Sequence, residues 1–254
     1  MLHKWTRRSW LAGAGTGLPL IQARAGLPTP SQAKLKVVVV GGHVDDPQAG
    51  CGGTMALYAG LGHDVVALSL TRGDSISIAR SLGMPNHELA ARRSADAVRS
   101  CQILKSRMIF LDQVNGDTIV DGSSYDKFAS VLMDQKPDVV FTHWPIDTHR
   151  DHRAAALLTY DAWLRGGRSF ALYFYEVELG TQTQNFEPNH YVDITRVEEL
   201  KRRACLANEL TVQGWWPLHE AMQRFRGMEH GCQAAEAFVA HVKARTRGVL
   251  DPLR

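Results

Sequence analysis

Residues 35–46 read Leu35-Lys36-Val37-Val38-Val39-Val40-Gly41-Gly42-His43-Val44-Asp45-Asp46: a β-branched run, two glycines, then a histidine and two carboxylates. Four consecutive valines without polar alternation fit a strand covered on both faces, as in the middle of a parallel sheet. The same kind of unit recurs outward from this run. Gly50–Leu61 has the spacing of a short apolar helix stopped by Gly62, and Asp64–Leu70 is a second buried strand. Asn86–Lys105 is helical, Met108–Leu111 a third strand, Tyr125–Gln135 a helix, Pro137–Thr142 a fourth strand and His152–Leu164 a helix. Strand and helix therefore alternate four times between residues 35 and 165. That alternation predicts a Rossmann-like, doubly wound α/β domain with a mostly parallel sheet. Phe170–Glu178 and Tyr191–Ile194 add strands, and Thr195–Leu210 and Gln233–Arg245 are expected as a C-terminal helical cover. The expected single domain spans 35–254.

Ligands of such sheets bind beyond the carboxyl ends of the strands. The first strand is followed by His43, Asp45 and Asp46, the second by Thr71-Arg72-Gly73-Asp74, and the third by Asp112 and Asp117. The fourth leads into His143-Trp144-Pro145-Ile146-Asp147-Thr148-His149-Arg150-Asp151-His152. A dinucleotide site needs a glycine-rich first turn whose backbone N–H groups reach a pyrophosphate. Here that turn carries two carboxylates, which repel phosphate. A metal uses the same residues better. Hydrolytic zinc takes three nitrogen or oxygen ligands and keeps one position for water. His43 and Asp46 share one tight turn, and either His149 or His152 completes the set while its neighbour addresses substrate. Asp147 or Asp151 is placed to orient an imidazole, and His143 to support the site. Cys51 is read as a small buried residue rather than a fourth ligand. Asp45 or Asp46 as a plain helix cap is the competing reading. Trp144, Trp215 and Trp216 are candidates for a sugar-stacking wall.

The chain has 254 residues with a formal charge of +3. Residues 1–25 hold Lys4, Arg7, Arg8 and Arg24 and no acid, leaving 25 basic against 26 acidic residues elsewhere. The electrostatic argument for a nucleic-acid partner disappears with that leader. Paired Arg7-Arg8, the short apolar stretch Leu11–Ile21 and Ala23-Arg24-Ala25 have the three parts of an export signal of the twin-arginine type. The apolar stretch is too short to anchor in a bilayer. Residues 26–34 read as a linker, and the expected compartment is periplasmic or extracellular, reached through the twin-arginine machinery. Cys51, Cys101, Cys205 and Cys232 form no CxxC pair and are expected as buried thiols.

The runs Gly41–Thr54 (GGHVDDPQAGCGGT), Thr71–Asp74 and Thr142–His152 (THWPIDTHRDH) resemble the PIG-L/LmbE-like zinc-dependent N-acetylglucosamine deacetylases. The resemblance spans about residues 35–245, with Val44 where the family usually has proline. It implies His43, Asp46 and His152 as ligands of Zn2+, a set that also suits Fe2+ or Mn2+. It implies Asp45 as general base and His149, as an imidazolium, facing the reacting carbonyl. Arg93 and Asp74 are assigned to substrate, and the assembly to a trimer or hexamer. The implied activity is removal of acetyl from an N-acetylated amino sugar or glycoconjugate. An amidase acting on another small N-acyl compound and a metal-containing glycan-binding protein without turnover are the alternatives.

Overall fold

The computed structural model describes residues 34–178, 180–210 and 214–242. The expected leader, and all but the last residue of the linker, lie outside the described residues. The elements are β1 (Lys36–Gly41), α1 (Asp46–Gly60), β2 (Asp64–Thr71), α2 (Ile76–Ser81), α3 (Asn86–Ile103), β3 (Arg107–Gln113) and α4 (Gly122–Asp134). They continue with β4 (Val139–His143), α5 (Arg150–Arg165), β5 (Ala171–Tyr175), β6 (His190–Asp193), α6 (Glu198–Leu206), α7 (Trp216–His230) and β7 (Ala235–Ala240).

The strands form one sheet in the order β3-β2-β1-β4-β5-β7-β6. The first five run parallel, and β7 is antiparallel to both β5 and β6. The valines of β1 explain why the sheet is covered twice. Val37 and Val39 point into a core shared with Met55 and Tyr58 of α1. Val38 and Val40 point the other way, against Phe128 and Leu132 of α4 and Leu158 and Trp163 of α5. Each fully buried valine contributes about 1.5–3 kcal/mol of transfer free energy, so both faces must be covered. α1 lies close to β5 because Gly50 has no side chain: a Cβ there would come within 2.3 Å of the Tyr175 ring. The Tyr175 hydroxyl then donates to Val40 O at 2.8 Å, tying β5 to β1.

Two expectations for the last segment need correction. Residues 235–240, expected within a helix, form β7 and fill the slot between β5 and β6. Phe225–Glu229, whose sequence reads as an interface or loop segment, lies inside α7. Gly227 is required there because a Cβ would meet the backbone of Cys232 and Gln233 at 2.8 Å. The cover is therefore two helices and a strand. Glu236 of β7 reaches into the middle of α1, where its carboxylate accepts the N–H groups of Gly53 and Thr54, each at 2.8 Å. Lys201 of α6 neutralises that buried carboxylate at 2.8 Å. All four cysteines are free; three are buried and Cys232 is half-buried.

Candidate active site

Strand order reverses between β1 and β4, with β2 and β3 on one flank and β5 on the other. A crevice opens beyond the carboxyl ends of two such strands. The turn after β1 and the loop after β4 face each other across it. α1 starts at Asp46, earlier than its apolar pattern, because Pro47 is suited to the first helical turn. Asp45 occupies the N-cap position but makes no capping bond with its side chain. Its Oδ2 instead lies 3.0 Å from Nη2 of Arg93, which comes from α3. Arg93 also donates to Gly73 O at 2.8 Å. Gly73 has φ of +70°, and a side chain there would strike the guanidinium at 2.5 Å. α5 begins at Arg150, so Asp151 and His152 occupy its first turn and His149 its N-cap.

Three ligand atoms converge. Nδ1 of His43 lies 3.3 Å from Oδ2 of Asp46. Nε2 of His152 lies 3.4 Å from the same oxygen and 3.1 Å from Nδ1 of His43. Ligands around a tetrahedral cation at bond lengths of 2.0–2.1 Å are spaced about 3.3 Å apart, so this set fits such an ion. The far side of each ring is held by a buried carboxylate: Nε2 of His43 faces Asp151 Oδ2 and Nδ1 of His152 faces Asp147 Oδ1, both at 3.1 Å. With a proton on each outer nitrogen, the two inner lone pairs point at each other and at Asp46. Asp151 is fixed in turn by the N–H of Gly116 at 2.7 Å, and Asp147 by the N–H of His149 at 2.7 Å. His143 places Nε2 3.0 Å from Asp46 Oδ2 and stacks on His152 with centroids 4.0 Å apart. Two overlapping groups, His43–His149–His152 and Asp46–His143–His152, also bring their ligand atoms within 4.8 Å.

The electrostatics favour positive charge at this point. Burial opposes charging His43 and His152, but Asp46, Asp151 and Asp147 outweigh it, raising His43 and pushing His152 up to about 10. Burial would raise Asp46, yet His152, His43 and His143 hold it well below the usual carboxylate range. His143 is pushed down to about 4 by burial and by His152. His149 is also pushed down to about 4, by burial, then by His43 and His152. At neutral pH His149 is therefore an uncharged imidazole, not the expected imidazolium. Its Nδ1 accepts the N–H of Asp151 at 3.2 Å, which leaves the ring proton on Nε2.

His43, Asp45, Asp46, Arg93, His149 and His152 line one cavity. Its volume open to the centre of a water-sized sphere is about 90 Å3. Ser75, Ile78, Asn115, Gln182 and Trp215 complete the wall. Asp74 is not among them: it accepts the N–H of Asn115 at 3.2 Å and lines a neighbouring recess with Arg72 and Asp112. Of the three tryptophans considered, only Trp215 reaches the cavity. Trp144 packs edge-on against Phe174 and Phe186, and Trp216 is buried beside Cys205. Gln182 carries no signal in the sequence, and His219 reads there as one of several scattered surface or core histidines; neither lies in a motif. Cys51 sits in the core behind the site, and its thiol is raised well above its usual range by burial.

A sheet of this order with a buried His/Asp cluster at its switch point defines a Rossmann-like α/β protein with a candidate cation site. The chain carries a PIG-L domain: the GlcNAc-PI de-N-acetylase model matches residues 38–163. It is 28% identical over 222 residues to the diacetylchitobiose deacetylase of Thermococcus kodakarensis, covering 82% of each chain. Among solved structures it resembles the conserved protein TT1542 of Thermus thermophilus at 29% identity and TM-score 0.70, over 82% of this chain and 95% of that one. It also shares its fold with GalB, the 4-carboxy-2-hydroxymuconate hydratase of Pseudomonas putida, at 21% identity and TM-score 0.75, over 84% and 98% of the two chains. The matched family model and the curated relative are both described as deacetylases.

Proposed function

We propose that the protein is a metal-dependent N-deacetylase that removes acetyl from an N-acetylated amino sugar or glycoconjugate. The observation that carries this reading is the triangle of His43 Nδ1, Asp46 Oδ2 and His152 Nε2, with sides of 3.1–3.4 Å, beside the carboxylate of Asp45, which stands outside it. Those three side chains would hold the ion, with zinc the first choice from the ligand set. When bound, it would supply Lewis-acid polarisation of a carbonyl and make water more acidic. Asp45, kept in place by Arg93, takes a proton as water attacks the amide carbon. His149 donates its Nε2 proton in a hydrogen bond to the carbonyl oxygen as charge develops there. The carbon–nitrogen bond then breaks, Asp45 returns the proton to the departing nitrogen, and acetate and the free amine leave. Arg93 lines the cavity, where its expected contact with substrate stands beside its role in positioning Asp45.

The test is acetate release from N-acetylglucosamine and diacetylchitobiose by the zinc-loaded protein. Release that stops with a chelator and returns with Zn2+ supports the reading. Bound zinc without release from any N-acetylated sugar would favour the glycan-binding alternative. For residues 1–25, the proposal is twin-arginine export. A reporter fused after residue 34 would fail to leave the cytoplasm when Arg7 and Arg8 are both changed to lysine.

A further inference from the structure

Next to the main cavity lies a second, smaller one that shares Asp45, Asp46, Gln182 and Trp215 with it. Its remaining wall is Ala49, Val177, Glu178 and His219. The volume open to the centre of a water-sized sphere is about 20 Å3. One such sphere needs about 10–15 Å3 on this measure, so the space takes one water or one methyl group and little more. We propose that this small cavity is the acyl pocket, and that Ala49, Val177 and His219 limit the substrate to an acetyl or smaller acyl group.

The inference rests on the deacetylase reading and adds the substrate's acyl length to it. A reacting amide carbon has two substituents that must leave it in different directions: the acyl chain and the nitrogen with its sugar. Both cavities touch Asp45 and Asp46, where that carbon must sit. The larger one opens between the half-exposed Ser75, Ile78, Asn115 and His149, and its polar wall suits hydroxyl groups. The smaller one ends on one side on buried side chains, with Ala49 5% exposed, Val177 2% and His219 3%, while Glu178, Gln182 and Trp215 form its more exposed side. Two of these are aliphatic and rigidly placed, Ala49 on α1 and Val177 just after β5. His219 closes the end from α7, and its Nδ1 is buried without a hydrogen-bond partner. The aliphatic part of this wall accepts a methyl, and a longer chain directed at it runs into α1 and α7. Packed interiors resist their displacement.

The experiment uses the zinc-loaded full chain and glucosamine carrying formyl, acetyl, propionyl, butyryl or hexanoyl on nitrogen, with free glucosamine as the common readout. The expected kcat/KM falls at least tenfold from acetyl to butyryl, with hexanoyl not turned over. Val177→Ala should raise the butyryl-to-acetyl ratio at least tenfold, and Val177→Leu should lower acetyl relative to formyl. His219→Ala should shift the ratio in the same direction as Val177→Ala. Equal turnover of acetyl and hexanoyl by the unaltered protein, or Val177 variants that scale every substrate alike, would overturn the acyl-pocket proposal and leave the deacetylase reading intact. Absence of turnover across the whole series, with zinc bound, would overturn both.

Discussion

Asp151 Oδ2 lies 3.1 Å from Nε2 of His43, on the opposite edge of the ring from the one that faces His152. Asp147 does the same for His152, also at 3.1 Å. These carboxylates fix tautomer and ring orientation together. Asp151→Asn or Asp147→Asn should weaken metal affinity about 10–100-fold, the usual effect of losing such a partner. Competition against a chromogenic chelator measures it, and unchanged affinity would remove the orienting role.

Asp46→Ala and His152→Ala should each purify without stoichiometric zinc while keeping their far-ultraviolet circular dichroism. Elemental analysis decides the point. Metal content equal to that of the parent protein would reject the ligand assignment.

Asp45→Asn should retain zinc and lose about 10²–10⁴-fold in kcat, the range of a general base. His149→Ala should lose about 10²–10³-fold in kcat, as for the loss of one donor to an oxyanion. Arg93→Met should fall between the parent and Asp45→Asn, since it frees Asp45 without removing it. Full activity in Asp45→Asn would exclude that residue as the base.

Metal binding should release protons. His152 lies at about 10, so without metal this residue carries a proton at pH 7. Affinity should then rise about tenfold per pH unit for each proton displaced, until that group is already neutral. Calorimetry in buffers of different ionisation enthalpy counts the protons, and a count of zero would exclude a proton on metal-free His152. The metal-free fold has a linked dependence of opposite sign. His152 is raised above its unfolded value of about 6.5, so its contribution to stability is complete below that pH and is lost as pH rises through about 10.

Lys201 is fully buried against Glu236. Lys201→Met leaves the carboxylate without its counter-charge and should cost about 3–5 kcal/mol in urea unfolding. Adding Glu236→Gln to that variant should recover part of the loss. A single variant as stable as the parent would show that the pair does not hold α1.

The sequence made the parallel half of the fold legible because each buried strand there is a short apolar run between turn signals. Val37–Val40 and Pro137–Thr142 are of that kind, and the histidines and aspartates just beyond them marked the crevice. The antiparallel edge was hidden. Residues 234–240 read Ala-Ala-Glu-Ala-Phe-Val-Ala, whose intrinsic preference is helical, and pairing with β5 and β6 on both sides overrides it. Within the site, local spacing revealed residues that share one turn. It could not reveal Gln182 or His219, which reach the cavity from segments with no motif of their own. Asp74 shows the converse: its position in a loop at the right edge of the sheet did not aim its side chain at the cavity.

The reach of Glu236 into α1 also has a temporal meaning. Every proposed ligand, and the base, lies before residue 153, so a nascent chain of that length already contains the chemistry. The helix that starts at Asp46 gains the side-chain partner of its Gly53 and Thr54 N–H groups only when residue 236 has been synthesised. Maturation of the pocket is thereby deferred until residue 236 has emerged, and a fragment limited to the residues matched by the family model would carry the right groups on an unbraced scaffold.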